Sequence, residues 1–151
     1  IIMDNRVTGM TGHQPNPGSG KTLLGKDTVA LEIEPLVRAC GVRHVKTLYG
    51  QDVEAIEQVI KEFFALDEPS VLVVVEPCAL LPEQRKKWHA LEVLADVCNG
   101  CGYCFRVGCP ALLKSAELDE KTQRSKAVID PVLCTGCGLC AQVCPRDAIP
   151  W

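Results

Sequence analysis

The chain has 151 residues, a formal net charge of −3 and ten cysteines. We expect no nucleic-acid partner, because phosphate binding needs a concentrated excess of Lys and Arg. No stretch approaches about 18 apolar residues, so we also expect no membrane-spanning helix and no membrane partner. These residues contain no basic region followed by an apolar one, as a secretory signal would. We therefore expect a reducing, cytoplasmic location, where clustered thiols bind metals.

Short apolar runs and helical patterns alternate in the first part of the chain. Residues 1–3 are predicted to be the end of a buried strand. The long loop over 4–26 is rich in Gly and Pro, and loops of this length inside compact domains are usually functional. A short helix is predicted over 32–40, with Gly41 as its C-cap.

Two further strands are predicted over 44–49 and 70–76, separated by a helix that Asp52 can cap. Apolar residues recur in that helix with a period of about 3.6 residues. The order strand–loop–helix–strand–helix–strand indicates an α/β fold with part of an open parallel sheet. Because three strands make a thin sheet, we expect its remainder to precede Ile1 in a longer chain.

The second part of the chain contains one cysteine motif twice. The later copy, Cys134-x2-Cys137-x2-Cys140-x3-Cys144-Pro145, has the spacing of bacterial two-cluster ferredoxins. The earlier copy, Cys98-x2-Cys101-x2-Cys104-x4-Cys109-Pro110, is one residue longer before its last cysteine. Between the copies, 111–118 and 126–130 are predicted to form a β-hairpin around the turn 119–125. These features predict a small α+β domain resembling bacterial ferredoxins.

Three cysteines in one tight loop can reach three corners of a cubane, whereas the fourth lies too far round. We therefore predict two [4Fe–4S] clusters with crossed ligands. One is held by Cys98, Cys101, Cys104 and Cys144, and the other by Cys134, Cys137, Cys140 and Cys109.

A zinc site is the alternative, since paired Cys-x2-Cys motifs can build a four-cysteine Zn centre. A third cysteine at the same short interval, with Cys-Pro following, fits zinc poorly. The remaining cysteines, Cys40 and Cys78, are predicted to be buried, small apolar residues.

The loop after the first strand begins Asp4-Asn5-Arg6-Val7-Thr8-Gly9-Met10-Thr11-Gly12-His13-Gln14. It resembles the second half of the thiamine-diphosphate motif of 2-oxoacid:ferredoxin oxidoreductases. The first half, Gly-Asp-Gly, is absent here and would be expected about 25 residues upstream. The resemblance implies that the side-chain oxygen of Asn5 and the carbonyl of Val7 ligate Mg²⁺, which prefers oxygen donors.

The resemblance also places Thr11, Gly12 and His13 at the cofactor, where His13 could contact substrate or diphosphate. Two alternatives stay open at this stage. Asn5 and Val7 could form an ordinary turn at the end of a strand, and His13 could be a local hydrogen-bond partner.

The order of the two parts is similar to the large (alpha) subunit in the indolepyruvate branch of that family. Residues 1–90 would be the rear half of the thiamine-diphosphate domain, and 91–151 the two-cluster ferredoxin-type domain. The segment Glu76-Pro77-Cys78-Ala79-Leu80-Leu81 adds to the similarity.

The similarity implies oxidative decarboxylation of aryl 2-oxoacids such as indolepyruvate. Coenzyme A would take the acyl group, and electrons would pass through the clusters to an external ferredoxin. A small (beta) subunit would be the partner, and these 151 residues alone would be inactive. The alternatives are the same chemistry on another 2-oxoacid such as pyruvate, or a ferredoxin-type electron carrier with a non-catalytic α/β appendage.

Overall fold

The computed structural model describes residues 1–87 and 89–151. The chain forms two compact units, an N-terminal unit over Ile1–Arg85 and a C-terminal unit over Lys86–Trp151. Within the described residues, no helix has the length and apolar character that crossing a membrane would require.

The N-terminal unit is built on a three-stranded parallel sheet. Strands β1 (Ile2–Asp4), β2 (His44–Tyr49) and β3 (Ser70–Val75) lie in the order β1-β3-β2. Val74 of β3 is in register with Met3 on one side and with Leu48 on the other. The predicted α/β fold with a partial parallel sheet is confirmed.

The central strand carries the core of this unit. Leu72 and Val73 of β3 are 2% and 1% exposed, as expected for a parallel strand covered on both faces. Helix α1 (Ile33–Ala39) packs Ile33 and Val37 against the buried valines of the sheet. Helix α2 (Val53–Phe64) begins where Asp52 accepts a hydrogen bond from the backbone N–H of Ala55 (2.9 Å), the predicted cap. A one-turn helix, α3 (Pro82–Arg85), ends the unit.

Strand β1 and Cys40 are less buried than predicted. In β1, Ile2 packs against the core but Met3 is 85% exposed, and Ile1 before it is 75% exposed. The reason is its place at the edge of the described sheet, where it pairs with β3. Cys40 is also exposed, because it is the C-cap of α1 and the chain turns away at Gly41, whose φ is +92°.

The loop between β1 and α1 folds on itself through local hydrogen bonds. Thr8 forms an isolated antiparallel bridge with Gln14, and Lys21 forms another with Asp27. Between the bridges, Asn16 caps a short 3₁₀ turn at Pro17–Ser19. This loop therefore has a defined backbone without long secondary-structure elements.

The C-terminal unit contains the predicted hairpin. Strands β4 (Leu112–Leu118) and β5 (Ser125–Ile129) pair antiparallel. A 3₁₀ helix at Tyr103–Val107 and helix α4 (Leu139–Gln142) lie within the two cysteine motifs. The buried core joins cysteines to aliphatic residues from every part of this unit: Leu91, Cys104, Ala111, Leu112, Ala127, Ile129, Cys140 and Ile149. The predicted small ferredoxin-like α+β domain is confirmed.

Candidate functional site

One cavity of the C-terminal unit is lined by four thiols from both cysteine motifs. We call Cys98, Cys101, Cys104 and Cys144 the first thiol set. Three members come from the first motif, and Cys144 comes from the end of the second. Burial raises the pKa of the Cys104 thiol, and the charges of Cys144, Cys101 and Cys98 raise it further.

A second cavity repeats this arrangement with the motifs exchanged. It is lined by the second thiol set, Cys109, Cys134, Cys137 and Cys140. Burial raises the pKa of Cys140 to about 11, with further contributions from Cys137, Cys134 and Cys109. The structure thus places each motif's first three cysteines with the other motif's last one. That each set ligates a cluster stays a prediction.

The chemistry of the two sets fits an iron–sulfur cluster. Burial first, and then the charges of the neighbouring cysteines, raise the pKa values of Cys104 and Cys140, and a cationic iron core would stabilise the four thiolates against both effects. Among the described residues, no three His, Cys, Asp or Glu side chains form a group that could hold a single metal ion.

Among the described residues, three backbone N–H groups donate to cysteine sulfurs. The donors are Ala127 to Cys98 (3.5 Å), Ala148 to Cys144 (3.4 Å) and Leu91 to Cys134 (3.4 Å). Such hydrogen bonds stabilise the thiolate over the thiol, and around clusters they tune the reduction potential. Strand β5 supplies the first of these donors, which indicates that the hairpin helps to form the site.

The extra residue of the first motif is accommodated by a 3₁₀ helix that is one residue longer than the helix α4 of the second motif. In the second motif, α4 leads directly to Cys144, whereas in the first a 3₁₀ helix ends at Gly108 before Cys109. Gly108 has φ of +69°, the left-handed conformation that glycine adopts without cost. Both Cys104 and Cys140 are still buried in the core, so the two motifs place their third cysteines alike.

Glycines are needed where backbone crosses the cysteine loops. A Cβ on Gly100 would lie 2.8 Å from both Cβ of Arg124 and the carbonyl oxygen of Ser125. A Cβ on Gly136 would overlap the carbonyl oxygen of His89. Both glycines also have positive φ, so a side chain there would be strained and would clash.

The candidate thiamine-diphosphate site lies at the carboxyl edge of the parallel sheet, where ligands of open α/β folds bind. Asn5 follows β1, and its Oδ1 accepts a hydrogen bond from the backbone N–H of Val7 (3.2 Å). Arg6 between them has φ of +61°, and its N–H donates to Oδ1 of Asp4 (2.9 Å). The two predicted Mg²⁺ ligands therefore belong to one tight turn.

His13 is held against the loop that follows β3. Its Nε2 lies 3.8 Å from Sγ of Cys78, whose backbone N–H donates to the carbonyl of Asn5 (3.0 Å). Cys78 is half-buried, so its predicted full burial is wrong: it lies on a loop at the sheet edge. Sequence reasoning missed this pairing. The usable signal was that Asn5 and Cys78 both follow parallel strands, whose carboxyl ends meet at one edge.

Thr11 and Gly12 are exposed and engaged locally. The hydroxyl of Thr11 donates to Oε1 of Gln14 (2.6 Å), and the N–H of Gly12 donates to the carbonyl of Gly9 (3.3 Å). No hydrogen bond between described residues joins either of them to Asn5. Three of the five predicted cofactor residues are connected: Cys78 contacts His13 and Asn5, and Asn5 in turn bonds Val7. Thr11 and Gly12 are not part of this set of contacts.

Comparison with known families agrees with the two units. Residues 1–74 match the C-terminal TPP-binding domain of thiamine pyrophosphate enzymes. Residues 97–148 match the 4Fe–4S dicluster domain. No solved structure matches the chain.

Several known proteins are similar to nearly the whole chain. The indolepyruvate oxidoreductase subunit IorA of Pyrococcus horikoshii is 40% identical over 98% of this chain, and that of Thermococcus kodakarensis is 39% identical over the same share. The chain spans 23% of the length of these relatives. Ferredoxin-3 of a Nostoc species is 34% identical over 34% of the chain and 66% of its own length. The chain is therefore similar over nearly its whole length to part of the indolepyruvate oxidoreductase subunit IorA, and it joins a thiamine pyrophosphate-binding type of domain to a 4Fe–4S dicluster domain.

Proposed function

We propose that the chain is part of a 2-oxoacid:ferredoxin oxidoreductase that decarboxylates aryl 2-oxoacids such as indolepyruvate. The observation that carries the proposal is the presence, in one chain, of two four-thiol sets and a thiamine-type sheet edge. The names of the similar proteins support an indolepyruvate-like substrate. Domain limits at 1–90 and 91–151 remain part of this proposal.

The C-terminal unit would hold two [4Fe–4S] clusters, one in each thiol set. When bound, the clusters supply one-electron steps that amino-acid side chains cannot perform. The protein's contribution is to hold four thiolates around each cavity, to donate backbone N–H groups to Cys98, Cys134 and Cys144, and to exclude water with the apolar core.

The N-terminal unit would hold thiamine diphosphate through Mg²⁺. Asn5 Oδ1 and the Val7 carbonyl offer hard oxygen donors from one turn. His13, fixed by Cys78, would face the diphosphate or the substrate. Thr11 and Gly12 would contribute through the backbone of their turn. Neither Asn5 nor Val7 offers a carboxylate, so a carboxylate ligand for Mg²⁺ would come from another residue.

The partners would be a small (beta) subunit, an external ferredoxin as electron acceptor, and coenzyme A as acyl acceptor. The relatives' designation as subunits supports a subunit partner, and the dicluster domain supports an electron acceptor. Coenzyme A follows from the reaction class alone.

The test is turnover by the full-length subunit assembled anaerobically with its beta subunit. With thiamine diphosphate, Mg²⁺ and coenzyme A, indolepyruvate should drive reduction of ferredoxin, and pyruvate should do so much more slowly. Reduction that is faster with pyruvate would assign another substrate. If a complex that contains its clusters failed to reduce ferredoxin with any 2-oxoacid supplied, the enzymatic proposal would be contradicted.

An electron carrier is the second candidate, favoured by the similarity to Ferredoxin-3. That similarity covers only 34% of the chain and leaves the thiamine-type unit without a role. One simple binding measurement distinguishes the two candidate functions. Calorimetry of the full-length subunit with thiamine diphosphate and Mg²⁺ should show binding if the chain belongs to an enzyme, and none if it is a carrier.

A further inference from the structure

Three arginines surround the loop that carries the first three cysteines. The guanidinium of Arg106 lies 4.7 Å from the ring centroid of Tyr103, in a cation–π contact within that loop. Arg124 packs against Gly100, and Arg146 lines the cavity of the first thiol set beside Gly102. The three come from different segments of the chain and all are exposed.

Apart from the cation–π contact of Arg106, no described structural role uses the charge of these arginines. None of them forms an ion pair with another described residue. Two carboxylates adjoin these arginines along the chain. Asp119, in the turn that leads to Arg124, accepts a hydrogen bond from the N–H of Thr122 (2.7 Å), and Asp147 directly follows Arg146. Both lower the net positive charge nearby without pairing with either arginine.

The second thiol set has the opposite surroundings. Residues 131–145, which carry three of its four cysteines, contain no Lys, Arg, Asp or Glu. The exposed side chains there are uncharged: Val132 and Leu133 are apolar and Gln142 is polar, and Trp151 lies against Gly138. Charge within the cysteine loops therefore distinguishes one thiol set from the other, while Lys86 and Lys87 precede the segment at His89 that packs against Gly136.

We propose that Arg106, Arg124 and Arg146 form a docking surface for an acidic one-electron carrier protein, and that electrons leave from the cluster of the first thiol set. The inference rests on the proposed function, because it assigns the exit of that electron path. Three exposed guanidinium groups without ion pairs around one redox centre match a partner with carboxylates around its own centre, and such pairing brings the two centres close while steering the encounter.

The electrostatic account predicts how the rate responds to salt and to charge. Steering raises association rates by about 10- to 1000-fold and weakens as ionic strength rises. Replacing two arginines by glutamates changes the surface charge by four and should reverse the attraction. A small cationic acceptor needs no such surface, so its rate should not fall.

The experiment uses the full-length subunit with its beta subunit, photoreduced under anaerobic conditions. In a stopped-flow instrument it is mixed with an oxidised acidic ferredoxin, or with benzyl viologen. The Arg106→Glu/Arg124→Glu variant should transfer electrons to ferredoxin at least about tenfold more slowly at low salt, with the viologen rate unchanged or higher. Arg146 is kept, because it lines the cluster cavity and its loss could alter the cluster itself. The Arg43→Glu/Lys61→Glu variant, with two exposed side chains of the N-terminal unit, changes the charge by the same four and should behave as wild type.

Two results would overturn the proposal. One is a wild-type ferredoxin rate that does not fall with ionic strength, which requires no variant at all. The other is an unchanged ferredoxin rate in the double glutamate variant, or in the milder Arg106→Gln/Arg124→Gln variant if the first loses iron. Photoreduction bypasses the 2-oxoacid, so these outcomes are independent of the proposed activity. Indolepyruvate-dependent reduction of benzyl viologen tests that activity separately.

Discussion

Sγ of Cys78 lies 3.8 Å from Nε2 of His13, although 65 positions of sequence separate them. The contact joins the loop after β1 to the loop after the neighbouring strand β3. A second bond, from the N–H of Cys78 to the carbonyl of Asn5, joins the same two loops. His13 also has a φ of +63°, an uncommon conformation for this residue type, which the surrounding contacts must maintain.

We expect Cys78→Ala in the full-length subunit to weaken thiamine diphosphate binding by about fivefold, the equivalent of about 1 kcal/mol for one lost hydrogen bond. Cys78→Ser should restore most of the affinity, because a hydroxyl can also bond the imidazole. Cys40→Ala is the matched control, since that cysteine is exposed at the end of α1. Calorimetry measures all three. Equal affinities in the Ala variant and wild type would show that the thiol does not position His13.

Asn5 closes a turn through its side chain, and it is also a proposed Mg²⁺ ligand. Asn5→Ala removes the proposed Mg²⁺ donor and the acceptor for Val7 N–H, so thiamine diphosphate affinity and turnover of the full-length enzyme should fall at least about tenfold. Asn5→Asp keeps an oxygen in both roles and should retain more affinity. Iron content should not change in either variant. Normal turnover in Asn5→Ala would remove this loop from the cofactor site.

The 151 residues alone should assemble both clusters without binding thiamine diphosphate. Mg²⁺ dehydrates reluctantly and is usually held through one or two carboxylates plus the phosphates. The proposed ligands here are an amide oxygen and a carbonyl, and the neighbouring Asp4 carboxylate is already paired with Arg6. Calorimetry on these residues, beside an iron assay, tests the difference. Tight cofactor binding would mean that Asn5 and Val7 are not the principal ligands, or that further donors lie within this chain.

Crossed ligation predicts which cysteine variants resemble each other. Cys98→Ala and Cys144→Ala should each lose the cluster of the first thiol set and should give the same EPR spectrum after reduction. Cys134→Ala and Cys109→Ala should share the other spectrum. Without crossing, Cys144→Ala would instead resemble Cys134→Ala. The comparison needs no prior assignment of either signal.

Two glycines with nearly equal φ angles allow the effect of backbone strain to be distinguished from the effect of a steric clash. Gly100 and Gly108 have φ of +67° and +69°, but only Gly100 has atoms within 4 Å of an added Cβ. Gly108→Ala should cost about 1–2 kcal/mol of strain and keep both clusters. Gly100→Ala should also push Arg124 away and lower the iron content toward about four per chain. Equal iron in both variants would mean that the hairpin can move aside.

Periodicity and end signals in the sequence predicted most of the local structure. The apolar run at 70–76 became β3, the central strand, and Asp52 caps α2 as expected. The hairpin between the motifs also formed. These features depend on neighbours in sequence, so a local pattern contains the information. The predictions that β1 and Cys40 are buried were wrong. Burial depends on which elements cover a segment, and a local sequence pattern does not specify that.

Spacing predicted the crossed grouping of thiols because ligand reach is set by loop length. The backbone donors to Cys98 and Cys134, by contrast, come from residues 29 and 43 positions away. The same holds for His89 against Gly136 and for Cys78 against His13. Such contacts follow from tertiary packing, and no spacing rule in one sequence identifies them.

Metal analysis of anaerobically prepared protein tests the central claim, two [4Fe–4S] clusters per chain, most directly. Iron, acid-labile sulfide and zinc are measured per chain beside the visible spectrum. The account predicts a brown protein with about eight irons and eight sulfides and little zinc. Stoichiometric zinc without visible absorbance would contradict it.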